Sequence, residues 1–418
     1  MNDNHSDAEL KYKKRWMAQV LRKAIQESPV VVVTGARQVG KSTLLKNEEP
    51  FKKWRYISLD DFDLLEQAEK NPASLWAGAR KIILDEVQKA PRLLNAVKKA
   101  VDEKGSEIRF ILSGSANLLL MHQVSESLAG RALYLNLLPI TLGEEFEKPI
   151  PNILSKLLDG QFPKEGATAP HDPAFFCLRG FMPPLLKLKK TASFMRWWEG
   201  YIVTYLERDL RQLSQVESLP DFQRVMRALA LRTRQILNQT AASRDTAVSQ
   251  PTVYRYISLL ETTCLIERLP VFALNRTKRL IKAPKVFWFD PALATYLSGI
   301  HDSETWRASR EAGGLFECLV LFHLKALTQL ATPKPHIYYW RTTTGKEVDF
   351  VVEQGRKLIA LEVKLTTKPL YSDIENLRLF LKEYPETKAA ALVYSGNEIR
   401  HMDEKIVALP WTCLTGAD

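Results

Sequence analysis

Cysteine is scarce in this chain. Its four cysteines among 418 residues, Cys177, Cys264, Cys318 and Cys413, lie far apart and show no metal-ligand spacing. That excludes a disulfide-stapled secreted fold and argues against zinc, and it fits a reducing, cytoplasmic setting. Long apolar runs are lacking too. No uninterrupted stretch approaches the roughly 20 residues that span a bilayer. The opening segment MNDNHSDAELKYKKRW has no apolar signal-peptide core, so no membrane partner is expected. There is no low-complexity tract and no internal repeat. The balance that remains, 45% hydrophobic and 26% charged, is that of a folded protein, and the length suggests two to four domains.

Charge is unevenly spread. Lys and Arg number 59 against 48 Asp and Glu, a net +11. Between Phe222 and Lys285 twelve basic residues face only Asp245, Glu261 and Glu267, so most of the surplus lies in under a sixth of the chain. A concentrated cationic field attracts phosphate backbones through counterion release; a solvated basic face accounts for it equally well.

Residues 10–27 carry Leu10, Trp16, Val20, Leu21 and Ile25 near helical spacing and read as an amphipathic helix. VVVVTG then reads as a buried strand stopped by glycine, and RYISLDD, KIILDEVQ and RFILSGSA are further apolar runs separated by helical stretches. Strands alternating with helices predict an α/β fold, a parallel sheet with helices on both faces. The Pro- and Gly-rich stretch 148–173 reads as a linker or irregular lid, 173–235 as helical, and 236–285 as a winged helix. From about Glu311 the pattern returns to a helix followed by strands.

Gly35 to Ser42 reads GARQVGKS, a full Walker A pattern directly after a β run and before helical TLLKN. Its glycines let the backbone of Gly35, Ala36, Arg37, Gln38, Val39 and Gly40 form a nest of N–H groups for phosphate oxygens, backed by a helix N-terminus entered through Thr43. Lys41 is expected to reach the β- and γ-phosphates and Ser42 to offer its hydroxyl to magnesium. KIILDEVQ puts Asp85 and Glu86 at the end of an apolar strand, where ligands collect in open parallel sheets. Asp85 is expected to hold magnesium through its water shell and Glu86 to polarise the attacking water. Either Ser113 or Ser115, at the end of FILSGSA, is a candidate to contact the γ-phosphate or that water; an ordinary polar strand end is the other reading.

TGARQVGKST, ILDEVQ, LSGSAN, SLAGR followed by LPITLGEEF, and YLERDL together resemble the AAA-type P-loop ATPases of archaea and bacteria, in the branch with a C-terminal nuclease-like module. The resemblance runs from about Leu10 to Val393. It implies ATP and Mg2+ as cofactors, and a P-loop NTPase sheet followed by a helical lid, a winged helix and a C-terminal α/β restriction-endonuclease-like domain. The expected units are 1–147, 148–235, 236–300 and 301–418, with a homo-oligomer as one arrangement. As in related ATPases, Arg131 in SLAGR is a candidate arginine finger or sensor, with Arg208 as its rival. A salt-bridging structural arginine is the other reading.

ILNQTAASRDTAVSQPTVYRYISLLETTCLIERL fits a helix, a turn and a second helix, with Ser249 as N-cap and Pro251 in the first turn. Val253, Ile257 and Leu260 would face the core, leaving Gln250, Thr252, Tyr254 and Arg255 for a DNA groove. The following segment reads as a wing hairpin with Arg276, Lys278 and Arg279 at its basic tip. Helix-turn-helix units that only pack between domains are the plain alternative to DNA as partner.

Near the C-terminus, Asp349 stands in EVDFVV, and Glu362 and Lys364 form Glu-x-Lys in LIALEVKL. Positions two apart on a strand share a face, so Glu362 and Lys364 project together. With Glu317 on a preceding helix, the order resembles the PD-(D/E)xK nucleases. That resemblance implies Asp349 and Glu362 as magnesium ligands, Glu317 as support and Lys364 beside the attacking water. Two functions are weighed: an ATPase coupled to DNA binding and metal-dependent cleavage, and a nucleotide-dependent switch whose nuclease-like domain only binds a partner.

Overall fold

The computed structural model describes residues 12–114, 128–164, 166, 169, 171–204 and 216–416. The N-terminal sheet has five strands, β1 (Val30–Thr34), β2 (Arg55–Ser58), β3 (Lys81–Asp85), β4 (Arg109–Ser113) and β5 (Ala132–Asn136), in the order β2-β3-β4-β1-β5. Every pairing is parallel. Strand alternation sorts the side chains. Val31, Val33, Ile83 and Ile111 pack on the face of helices Met17–Glu27 and Lys41–Asn47. Val30, Val32, Ile82 and Phe110 pack on the face of helices Phe62–Lys70 and Leu93–Lys104. Both faces are buried, which is why these strands read as continuous apolar runs.

Three helices, Leu219–Ala230, Gln239–Thr246 and Gln250–Thr262, precede an antiparallel pair, β6 (Ile266–Leu269) and β7 (Lys285–Trp288). Val253, Ile257 and Leu260 are buried, and the Ser249 hydroxyl accepts from the Thr252 N–H at 3.4 Å. The β6–β7 connection is not an open wing, because it holds a short helix, Arg276–Ile281.

The C-terminal sheet comprises β8 (His336–Arg341), β9 (Glu347–Gln354), β10 (Lys357–Lys364), β11 (Ala389–Tyr394), β12 (Arg400–Asp403) and β13 (Ile406–Pro410), ordered β12-β13-β11-β10-β9-β8. One face is covered by helix Glu375–Glu383 through Leu377 and Phe380. The other joins the apolar core that also holds helix Ala312–Thr328 and the P-loop face of the first sheet. The units are therefore packed on one continuous core.

Two segments depart from the sequence reading. Residues 12–16 are not helical, because Arg15 and Trp16 serve long-range contacts. The Trp16 N–H donates to Glu144 Oε1 at 2.6 Å, and the Arg15 guanidinium donates to the carbonyls of Val39, Leu138 and Pro139 at 2.9, 2.6 and 3.1 Å. The stretch read as a linker contains helix Ile153–Leu158, whose Ile153, Leu154, Leu157 and Leu158 are buried against the C-terminal sheet. No helix among the described residues is long and apolar enough to cross a membrane.

Candidate functional site

The loop between β1 and helix Lys41–Asn47 lies at the carboxyl ends of the parallel strands. Gly35 has φ +145°, and a Cβ there would stand 2.4 Å from the Leu137 carbonyl oxygen, so no other residue fits that turn. Lys41 is 6% exposed and donates to the carbonyls of Gly35 and Ala36, both at 3.0 Å. Burial pulls its ammonium below the ordinary value, against the pull of Glu86 and Asp85. Arg15 pins the loop from below through Val39, and its Nε lies 3.3 Å from Glu144.

Asp85 is the centre of a hydroxyl cluster. Ser42 donates to its Oδ2 at 2.6 Å, Tyr56 donates to the same oxygen, and Ser113 donates to Oδ1. Ser113 is fully buried and holds Asp85. Ser115 lies outside the described residues. Tyr56, on β2 beside β3, was not singled out from sequence. The signal was there, since a parallel neighbour of the Asp85 strand must end beside Asp85. Glu86 has left-handed backbone (φ 56°) and receives the Gln88 amide. Burial pushes its carboxyl above the ordinary range. Thr43 is exposed on the first turn of the helix.

Arg131 stands elsewhere. It precedes β5, whose register pairs Ala132 with Val30 and Asn136 with Thr34, so it sits at the amino end of the sheet. Five strand residues, roughly 16 Å, separate that end from the phosphate loop. Its Nε lies 2.6 Å from Asp102 Oδ1. Within its own chain Arg131 therefore makes an ion pair and stands away from the phosphate loop. Arg208 lies outside the described residues.

The LGEEF segment, which sequence offered only as a tag of resemblance, is a structural hub. Thr141 and Glu144 close a capping box, and Glu145 takes both guanidinium nitrogens of Arg179 at 2.7 and 2.5 Å. A Cβ on Gly143 would fall 2.0 Å from the Thr415 carbonyl oxygen and 2.4 Å from the Trp16 ring. The leading segment, the ATPase sheet and the C-terminal residues therefore meet there.

The C-terminal carboxylates do come together. The β9–β10 ladder ends at Phe350–Leu361, and just beyond it Asp349 Oδ2 accepts the Val363 N–H at 2.8 Å. Glu317, Asp349 and Glu362 are all buried, and Lys364 Nζ is 3.0 Å from Glu362 Oε1. Two cations that sequence had assigned to a basic surface enter this cluster. Lys285, 1% exposed, pairs with Glu347 and stands 3.8 Å from Asp349. Arg234 Nη1 is 2.8 Å from Glu317 Oε1. Burial works against the Lys285 charge, yet Asp349, Glu317 and Glu347 together hold its ammonium above the ordinary value. Burial and the Asp349 charge push Glu362 up to about 8, and burial drives Glu317 well above the usual carboxylate range. Among the described residues no group of three His, Cys, Asp or Glu is arranged to hold a metal ion. Lys285 and Arg234 thus stand beside the carboxylates that the resemblance assigned to magnesium.

Most cations of the basic segment are paired, chiefly with acids outside it. Eight of its twelve cations have acidic partners: Arg224, Arg232, Arg234, Arg244, Arg255, Arg268, Arg279 and Lys285. Arg279 is clamped by Glu353 at 2.7 and 3.2 Å and stacks on Phe272 and Tyr338, so it is not a hairpin-tip phosphate contact. Arg255 pairs with Glu217 at 3.0 Å at the edge of its helix. Arg276 and Lys278 are exposed and make no ion pair among the described residues.

Three parts of the chain match known families. Residues 171–304 match a domain of unknown function (DUF8612), and residues 312–414 match a second (DUF4143). Uncharacterized proteins of Mycobacterium bovis and Mycobacterium tuberculosis are each 29% identical over 392 residues, covering 93% of this chain and 82% of theirs. Among solved structures, a Walker-type ATPase of Pyrococcus abyssi is 17% identical with a TM-score of 0.45, covering 69% of this chain and 99% of that one. A signal transduction ATPase with numerous domains from Pyrococcus horikoshii is 14% identical with a TM-score of 0.26, covering 76% and 46%. Neither structural likeness is close enough to carry an argument. Residues 27–146 match the family described as an AAA domain and hold the phosphate loop, Asp85 and Glu86, so this part of the chain is an AAA-type ATPase-like domain.

Proposed function

We propose that the chain is an ATP-hydrolysing switch that couples its nucleotide state to nucleic-acid binding by the C-terminal half, whose nuclease-like fold binds and does not cleave. Magnesium, bound with the nucleotide, neutralises phosphate charge. The Ser42 hydroxyl and the Asp85 carboxylate are hard oxygen donors of the kind it takes. Lys41 has to leave the carbonyls of Gly35 and Ala36 for the phosphates. That exchange suits a buried ammonium whose present partners are neutral. Glu86, held by the Gln88 amide, is the group that orients and polarises water.

Coupling between the halves is supported by one contact. Cys264, between helix Gln250–Thr262 and β6, has its Sγ 3.8 Å from Asn136 Oδ1 at the phosphate end of β5. The thiol also lies within the field of Lys41, although burial raises it to about 11. β6 pairs with β7, which begins at Lys285. A nucleotide-driven shift at Asn136 therefore has a packed route toward the carboxylate cluster.

The observation that carries the non-cleaving reading is the Lys285 ammonium beside Asp349 and Glu347. Metal-dependent cleavage by Asp349, Glu362 and Lys364 would need that charge displaced from a buried site. Incubating the purified protein with plasmid and oligonucleotides, with and without ATP and magnesium, tests both halves. ATP turnover and DNA retention without nicking are expected. Magnesium-dependent nicking by the wild type would overturn the non-cleaving reading, and lack of ATP turnover would overturn the switch.

A further inference from the structure

A cleft of about 640 Å³ opens between the end of helix Leu219–Ala230, helix Gln239–Thr246 and the start of helix Ala312–Thr328. Five arginines line it, Arg224, Arg227, Arg232, Arg234 and Arg310, against two acids, Asp245 and Glu311. From these groups we infer that the cleft binds the phosphodiester backbone of a nucleic-acid strand. The inference rests on the nucleic-acid part of the function proposed above, and it moves the contact away from the β6–β7 hairpin.

The arginines are poised to exchange partners. Arg224 pairs with Asp221, Arg232 with Asp245 and Arg310 with Glu311, and the Arg224 and Arg310 side chains are 54% and 87% exposed. Exposed pairs of this kind contribute little to stability, so replacing a carboxylate by a phosphate costs little. Arg227 is exposed and has no ion pair among the described residues. The planar guanidinium fork matches phosphate oxygens two at a time.

Arg234 is different, because it is held in place. Its backbone is left-handed, at φ 67°, a conformation disfavoured for a side chain of this size. Its stem runs over Gly314, where a Cβ would come 3.0 Å from its Cδ. Its Nη1 donates to the buried Glu317 while the side chain remains 47% exposed. One guanidinium thus lines the cleft and touches the carboxylate cluster at once. A phosphate drawing on Arg234 weakens its hold on Glu317, which ties occupancy of the cleft to the state of that cluster.

Among the described residues the cleft lining contains no aromatic ring. Bases therefore have no stacking platform there, and recognition runs through backbone charge. The expected signature is binding that is indifferent to base sequence and steep in salt.

Fluorescence anisotropy on the full chain with short oligonucleotides of two unrelated sequences, over a range of salt, tests this. The variants are R224A/R227A in the cleft, Arg310→Glu on its rim and R276A/K278A on the hairpin helix, with melting temperature as the check on folding. Arg310 is so exposed that its replacement leaves the fold intact even where the double variant does not. We expect the cleft variants to bind roughly tenfold more weakly for both sequences, with a log–log salt slope shallower by about 1 to 2. The hairpin variant should stay near wild type. Wild-type affinity and slope in both cleft variants, or loss confined to the hairpin variant, would overturn the cleft while leaving nucleic-acid binding standing. No oligonucleotide binding by the wild type would remove both the cleft and the nucleic-acid part of the proposed function. Retention of tripolyphosphate without oligonucleotide would assign the cleft to free polyphosphate and overturn the strand.

Discussion

The chain gathers buried carboxylates in two places, and their oxygens are satisfied by different chemistry. Around Asp85 the partners are hydroxyls, from Ser42, Tyr56 and Ser113. Around Glu317, Asp349 and Glu362 they are cations, Arg234, Lys285 and Lys364. A hydroxyl gives up a carboxylate to a divalent ion at the cost of a hydrogen bond. An ammonium displaced from a buried pair leaves its own charge unsolvated, a penalty of several kcal/mol. The first site is built to exchange its contents with a nucleotide. The second is built to keep them, so sharing an acidic composition does not make two sites chemically alike.

Lys285 offers the strongest way to break that comparison. Lys285→Met removes one partner of a buried set and should cost about 3–5 kcal/mol of unfolding free energy at neutral pH. If the ammonium occupies a cation's place, millimolar manganese should then stabilise the variant against denaturant while leaving the wild type unmoved. Equal stabilisation of both proteins would show that the wild-type cluster accepts a metal with Lys285 present, and the contrast between the two sites would collapse.

At the other site the effect falls on rate. Lys41→Ala should lower ATP turnover by about 10²–10³-fold and weaken ATP binding, because phosphate charge loses its fixed counterpart. Glu86→Gln should bind ATP normally and turn it over some 10²-fold more slowly. Isothermal titration and a phosphate-release assay separate the two outcomes. Unchanged turnover in the glutamine variant would take water polarisation away from Glu86.

How much of this was legible beforehand follows from the range of each interaction. GARQVGKS and LDE are local patterns in which spacing fixes geometry, so β1, the loop and β3 were readable residue by residue. Strand alternation likewise paired Glu362 with Lys364. Counting charge misled, because a net charge does not record partners. Lys285 and Arg234 were added to a basic face, yet they neutralise acids 64 and 83 positions away, Asp349 and Glu317. The place of Arg131 was hidden for the same reason, since only the register of β5 reveals which end of the sheet it occupies. The role of LGEEF depends on Trp16 and Thr415, contacts that no local pattern announces.

The last effect is the sharpest probe of charge within the second site. Glu362 is held at about 8 in the folded chain against an ordinary 4.5, through burial first and the Asp349 charge next, with Lys364 opposing. Between those two values the folded state keeps a proton that the unfolded state has released. Stability should therefore fall as pH rises from about 5 to about 8, by at most about 1.4 kcal/mol per pH unit for one group. Glu362→Gln mimics the protonated form and should flatten that slope, so urea unfolding should find the variant equal to wild type near pH 5 and more stable near pH 9. Parallel pH profiles would mean that Lys364 and Lys285 keep Glu362 ionised throughout. A cluster carrying that additional negative charge would again be a candidate for a divalent ion, and the line drawn here between a site that exchanges its cation and one that keeps it would have to be redrawn.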